Sequence, residues 1–213
     1  MGNTVILINP NSTEAMTVSA VHAAKKEASD LHFEGWTSID GPKSIQGQRD
    51  GEVATKPLLE LVNKANDQKP CAIVIACFDD TALELARNRS SCPVVGIGEA
   101  SFIESSLHEG KTAVITTVHA AVPVITQNIE ASGFNRHIVG VIAADVEVLD
   151  LDKKPKASAL KFAKASECLD LTVKNVILGC SGAVKIKRQF ENSTNFRVFD
   201  GVSSAARLCR LFV

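Results

Sequence analysis

Ala72-Ile73-Val74-Ile75-Ala76-Cys77 is an apolar run with no polar alternation, and Asn175-Val176-Ile177-Leu178-Gly179-Cys180 repeats the pattern 103 residues later. A strand that is apolar on both faces is buried on both, as in a parallel sheet covered by helices. Working outward, similar runs occupy Val5 to Asn9, Phe33 to Thr37, Val94 to Ile97, Thr112 to Thr117, His137 to Ile142 and Arg197 to Phe199. Amphipathic stretches at Thr13 to Ser29, Glu52 to Asn66, Thr81 to Asn88, Ala121 to Ser132, Lys156 to Leu171 and Ala183 to Glu191 alternate with them. Pro57 is expected to shorten or kink the second of these helices, and Asp145 to Pro155 is the most polar, linker-like stretch. Strands alternating with helices predict an α/β fold of repeated βα units with mainly parallel sheets.

The two Cys-ended strands are part of a longer repetition. Val94 to Ser101 is answered by Arg197 to Ser204 at an offset near 102, and Val5 to Asn9 by Ala113 to Thr117 at 108. The chain therefore reads as two pseudo-symmetric βα lobes with a cleft between them. Residues 1–98 with 201–213 are expected to form the first lobe and 99–200 the second. Gly98 to Gly110 would then cross out of the first lobe, and Gly201 to Val213 would cross back.

At 213 residues with 45% apolar and 22% charged side chains, the chain can bury a sizeable core and is not disordered. A net charge of −1 gives no field to hold a phosphate backbone or an anionic membrane, so no nucleic acid and no membrane partner is expected. Met1 to Ile8 has no basic n-region and Asn9-Pro10 ends its apolar run, which points to a first strand and a cytoplasmic protein. Outside a secretory context the six cysteines are expected as free thiols. There is no CxxC pair and the five histidines show no metal spacing, so no metal site is expected. Gly96-Ile97-Gly98 lacks the third glycine of a dinucleotide fingerprint, which argues against NAD.

Chemistry concentrates at Cys77 and Cys180. Ligands of open α/β sheets sit at the carboxyl ends of strands, and a helix N-terminus just beyond each thiol would favour the thiolate. Pseudo-symmetry would set the two sulfurs on opposite walls of one cleft, where one could take a proton from a carbon and the other return one to its opposite face. Cys71, Cys92, Cys168 and Cys209 read as small hydrophobes. The first βα turn, Asn9-Pro10-Asn11-Ser12-Thr13-Glu14, can cap a helix or bind a small ligand, and Asn11 with Glu14 has capping-box spacing. Gly41 to Gly47, carrying Ser44 and Ile45, reads equally as a cleft-lining loop or a surface turn. His119 lies near the expected cleft and reads as solvated or capping.

Ile6-Leu7-Ile8-Asn9-Pro10-Asn11-Ser12-Thr13, Ile75-Ala76-Cys77-Phe78-Asp79-Asp80, Pro93-Val94-Val95-Gly96-Ile97-Gly98-Glu99-Ala100, Thr116-Thr117 with Val122-Pro123, and Ile177-Leu178-Gly179-Cys180-Ser181-Gly182 occur in this order. Together they resemble the hydantoin and allantoin racemase branch of the aspartate/glutamate racemase superfamily, over nearly the whole chain. The resemblance implies a cofactor-independent isomerase, homo-oligomeric, acting on C5 of a small cyclic ureide, either a 5-substituted hydantoin or allantoin. Cys77 and Cys180 would be the acid and base. Backbone N–H groups near Asp79 to Asp80 and Ser181 to Gly182 would face the enolate oxygen. Asn9, Ser12, Thr13, Ser44, Ile45, Phe78, Asp79, Thr117, Ser181 and Gly182 would surround the ring.

Two places depart from the family pattern. Gln46-Gly47-Gln48-Arg49 follows Ile45 where members often have Glu-Gly and then His or an aromatic residue, and Ser181-Gly182-Ala183-Val184 replaces a common Ala-Gly-Met. Phe78-Asp79 and Ser181-Gly182 lack the polar pairs with which amino-acid racemases hold a free amino acid, which favours a cyclic ureide. The alternatives are an amino-acid racemase or Cys-dependent isomerase of the same superfamily and, outside enzymes, a small-molecule binding module with inert thiols.

Overall fold

The computed structural model describes residues 2–213. Eight strands form two four-stranded sheets in which every neighbouring pair is parallel. The first is ordered β2 (His32–Thr37), β1 (Thr4–Asn9), β3 (Ala72–Ile75), β4 (Val94–Gly96), and the second β6 (Ile138–Ala143), β5 (Lys111–Thr116), β7 (Val173–Gly179), β8 (Arg197–Asp200). The identical order confirms the α/β duplication read from the sequence.

The apolar runs are buried on both faces, as their composition requires. Ile6, Ile8, Ile73 and Ile75 meet Leu58, Leu59 and Val62 of α2 (Gln48–Asp67) on the outer face of the first sheet. Val5, Leu7 and Val74 point inward to a core shared with Val114 and Ile177 of the second sheet. Phe102 of α4 (Ile97–Ser106) and Val202 and Ala205 of α9 (Gly201–Cys209) fill that middle layer. On the far side, Val176 and Leu178 pack with Phe162 of α7 (Pro155–Ser166) and Phe190 of α8 (Lys187–Ser193). Each fully buried Phe stabilises the fold by about 2 to 3 kcal/mol relative to exposure.

The helices after β4 and β8 tie the halves together. Helix α4 packs on α9 and on strands β7 and β8, while α9 packs on α1 (Glu14–Glu27). Arg207 of α9 pairs with Glu27 of α1 and, at 2.8 Å, with Glu104 of α4.

The structure departs from the predicted elements where local signals were weak. The second helix begins at Gln48 and runs unbroken through Pro57 to Asp67, because its apolar face is held by the sheet. Thr81 to Asn88 yields only α3 (Leu83–Arg87), since Ala82 ahead of it is left-handed at φ 53°. Ala183 to Glu191 splits into a 3-10 turn, Ser181–Lys185, followed by α8. The linker-like stretch contains a short helix, α6 (Asp150–Lys153), anchored by the fully buried Leu151. The remaining helix, α5 (Val122–Ala131), lies where it was expected.

Candidate active site

In each sheet the first strand sits centrally and the chain departs to opposite sides of it, so a crevice opens at the carboxyl ends of β1 and β3 and of β5 and β7. Strand β3 ends at Ile75 and β7 at Gly179, which places Cys77 and Cys180 just past the strand ends. Both thiols are buried and line one cavity of about 20 Å³, room for about one water.

Ile45, Phe78, Asp79, Thr117 and Ser181 line this cavity with the two cysteines, as the sequence suggested. Gly182 is not in the lining, and its backbone N–H favours the charged form of Cys180. Asn9, Ser12, Thr13 and Ser44 are not in the lining. The Asn9 amide is consumed internally, donating to Asn11 Oδ1 at 3.0 Å and Thr17 Oγ1 at 3.0 Å. Ser12 N–H donates to the Pro42 carbonyl at 2.8 Å and Thr13 Oγ1 to the Lys43 carbonyl at 2.7 Å. These bonds seat the segment that carries Ile45. Ser44 Oγ accepts from Gln46 Nε2 at 3.3 Å. His119 is exposed and pairs with Asp145 at 3.1 Å.

Asn11, whose turn reads equally as a cap or a ligand site, also faces the cavity, as do Met16, Thr116 and Val148, which were not expected as ligands. The Asn11 capping box does not form. Its Oδ1 instead accepts the Thr13 N–H at 2.9 Å, an Asx turn that aims the amide inward at Met16 Sδ, 3.6 Å away. Thr116 is legible only through its register with Gly179, whose carbonyl accepts its hydroxyl at 2.9 Å.

A family model for the Asp/Glu/hydantoin racemases matches residues 5–209. The chain belongs to that family. A hydantoin racemase of Rhizobium meliloti is 32% identical to this racemase over 209 residues, covering 95% of this chain and 85% of the relative. Allantoin racemase from Klebsiella pneumoniae superposes with a TM-score of 0.91 at 27% identity, covering 98% of this chain and 86% of that one. Glutamate racemase from Francisella tularensis shares the fold, with a TM-score of 0.74 at 15% identity over 99% of this chain and 80% of the other. The protein is thus an isomerase of the racemase type.

Electrostatically, the site of this racemase is dominated by burial. Burial pushes the Cys77 thiol well above its ordinary 9.0, the nearby Asp79 raises it further, and the Thr81 hydroxyl at 3.4 Å and the Asp79 N–H oppose this. Cys180 is pushed up to about 12 by burial, against the Gly182 and Ala183 N–H groups, with Asp79 again adding. The expectation that helix ends would favour thiolates is therefore corrected. A turn follows Cys77 and a 3-10 turn follows Cys180, so each sulfur meets only one or two N–H groups, which burial outweighs. Burial also raises Asp79 to about 7, opposed by the Gly47 N–H and reinforced by Asp50. Asp80 rises to about 7 for the same reason, although it accepts from Gly98 N at 2.9 Å and Glu99 N at 2.7 Å at the start of α4.

Proposed function

We propose that this racemase inverts C5 of a hydantoin-type cyclic ureide, a 5-substituted hydantoin or allantoin, by proton transfer between two thiols. One observation carries the reading: Cys77 and Cys180 follow equivalent strands of the two sheets and line one cavity. A thiolate takes the C5 proton and becomes a thiol, the electron pair moves onto the adjacent carbonyl as an enolate, and the opposite thiol returns its own proton to the other face. The two sulfurs exchange states with each inversion. Both proton transfers are supplied by the chain itself. The residues 1–98 with 201–213 and the residues 99–200 are the two lobes in this reading, and each contributes one thiol.

The lining supports a neutral ring. It contains no Lys, Arg or His to pair with the free carboxylate of an amino acid, and besides the two thiols and the Asp79 carboxyl it offers amide, hydroxyl and apolar surface. Ionising a thiol that titrates near 12 costs about 7 kcal/mol at pH 7, so substrate binding must lower that cost through N–H donors and the exclusion of competing water.

The test is NMR of C5–H exchange in deuterated water together with polarimetry, using single enantiomers of allantoin, 5-alkylhydantoins and free Asp or Glu. The cyclic ureides should racemise, and Cys77→Ser and Cys180→Ser should abolish inversion while each retains exchange of one enantiomer. Full racemisation by either variant rules out the two-thiol mechanism, and turnover of free amino acids alone rules out the substrate class.

A further inference from the structure

One carboxyl oxygen of a residue lining the cavity has no partner. Asp79 stands two residues after Cys77, and its carbonyl is fixed by Asn128 Nδ2 of α5 at 2.8 Å. The Gly47 N–H acts on its carboxyl group, whereas Oδ2 is enclosed and makes no hydrogen bond. The side chain lines the cavity that holds both thiols, and its charge opposes the ionisation of each. As a carboxylate it would be a second negative charge beside the one that passes from the thiolate to the developing enolate. As a carboxylic acid it offers an O–H where that anion forms, a role open to an acid kept neutral by an apolar site.

We propose that Asp79 is a catalytic residue that works as a neutral acid, its carboxyl O–H donating to the enolate oxygen created when the C5 proton leaves. The inference rests on the racemisation proposed above. The proton stays on Asp79: the hydrogen bond strengthens as the enolate forms and relaxes when the opposite thiol reprotonates C5, with no net transfer. The surrounding charges agree. Asp50 of α2 opposes a carboxylate here, a charge on Asp79 would in turn oppose ionisation of Asp80 and of both thiols, Glu52 of α2 lines the groove outside, and α5 contributes Gln127 and Asn128. No Lys, Arg or His lines either the cavity or the outer groove that Asp79 separates from it.

The experiment measures kcat and KM against pH for the unmodified protein, Asp79→Asn and Asp79→Ala, using whichever ureide exchanges fastest. Removing one oxyanion donor lowers kcat by about 10²- to 10³-fold, so Asp79→Ala should lose that much with KM little changed. Asp79→Asn keeps a donor and should stay within about tenfold of the unmodified kcat. The fall in rate as pH rises through about 7, caused by loss of the acid proton, should vanish in Asp79→Asn. Unchanged kcat in Asp79→Ala overturns the proposal, and so does an equal loss in both variants expressed in KM, the mark of an ionised acceptor. A second measurement needs no substrate: carbon NMR of the Asp carboxyl groups, with the Asp79 signal identified by its absence from Asp79→Asn. A neutral acid at pH 6 supports the proposal and a carboxylate at that pH overturns it. Failure of every ureide to exchange would instead overturn the function reading, and the titration would still decide the state of Asp79.

Discussion

Replacing Asp79 by Asn changes the pH dependence of stability in a direction fixed by the burial of the carboxyl group. Asp79 titrates near 7 in the folded chain against 3.8 for an unhindered Asp, because enclosure opposes its charge. A raised folded pKa means that the native state holds the proton more tightly than the unfolded chain. The resulting stability is complete below about 3.8 and is lost as pH rises through about 7. The gap corresponds to at most about 4 kcal/mol, and water reaching the open part of the side chain brings the working figure to about 2 to 4 kcal/mol. Asn cannot ionise, so the variant should gain on the unmodified protein by this amount between pH 4 and 8 and then hold a constant lead. Asp80 titrates in the same range and is raised in part by the Asp79 charge, so in Asp79→Asn its titration moves toward the ordinary range and adds slightly to the variant's lead. The assay is urea unfolding followed by far-UV circular dichroism across pH 4 to 9. With a slope of about 2 to 3 kcal/mol per molar urea, the midpoints should separate by about 1 M at alkaline pH. A gap that is the same at pH 4.5 and 8.5, with unchanged slopes, would refute a buried and strongly raised Asp79.

Other substitutions probe the frame around the site. Gly47 has φ 110° and an added Cβ would collide with the Ala120 carbonyl oxygen, so Gly47→Ala should lose about 1 to 3 kcal/mol in thermal unfolding and displace the N–H that serves Asp79. Asp80→Ala leaves the Gly98 and Glu99 N–H groups without their acceptor and should cost about 2 to 3 kcal/mol, with Asp80→Asn recovering part of it in urea titrations. Cys168 is exposed, so Cys168→Ser should stay within about 0.5 kcal/mol, while Cys209→Ser buries a hydroxyl in the middle core and should cost about 1 to 3 kcal/mol. Both should racemise normally once folded, and loss of activity in folded Cys168→Ser would contradict the assignment of Cys77 and Cys180.

The strands and their pairing were legible because they are buried on both faces. Ile6 and Ile73 have neighbours on two sides, and no polar residue can occupy such positions without an unsatisfied group. The two thiols were legible because duplication placed them at matching strand ends. Turn geometry was not. The Asx turn at Asn11 competes with the capping box that the same residues could form, and the left-handed Asp80 goes with carboxyl bonds to Gly98 and Glu99 that no local spacing encodes. Asn9 and Thr13 looked like ligands because their side chains can bind one, yet in the fold those groups hold the Ile45 segment and the start of α1. The thiol acidities were misjudged for a related reason: a helix start can be read from sequence, but the depth at which it is buried cannot.

Duplication makes the two thiols positional equivalents without making them electrostatic equals. The turn after β3 carries an acid, Asp79, close to the sulfurs, while the turn after β7 carries only Ser181 and Gly182. The Gly182 and Ala183 N–H groups favour the Cys180 thiolate, the second while bonded to the Cys180 carbonyl at 3.0 Å, whereas Cys77 has the Asp79 N–H and the Thr81 hydroxyl at 3.4 Å. Cys180 should therefore be the thiol that ionises first, with Cys77 holding the resting proton. Comparing enantiomers by kcat/KM cannot reveal this, because the equilibrium constant between mirror-image ureides is one and both directions must share the same ratio. Single variants can. Cys77→Ser keeps the thiol that ionises more readily and should exchange C5–H of its preferred enantiomer at least about tenfold faster than Cys180→Ser exchanges the other, a tenfold rate corresponding to about 1.4 kcal/mol. The comparison is made by NMR at pH 7 on proteins shown to be folded. Equal exchange rates, or faster exchange by Cys180→Ser, would place the resting charge elsewhere and remove the role assigned to the Gly182 and Ala183 N–H groups.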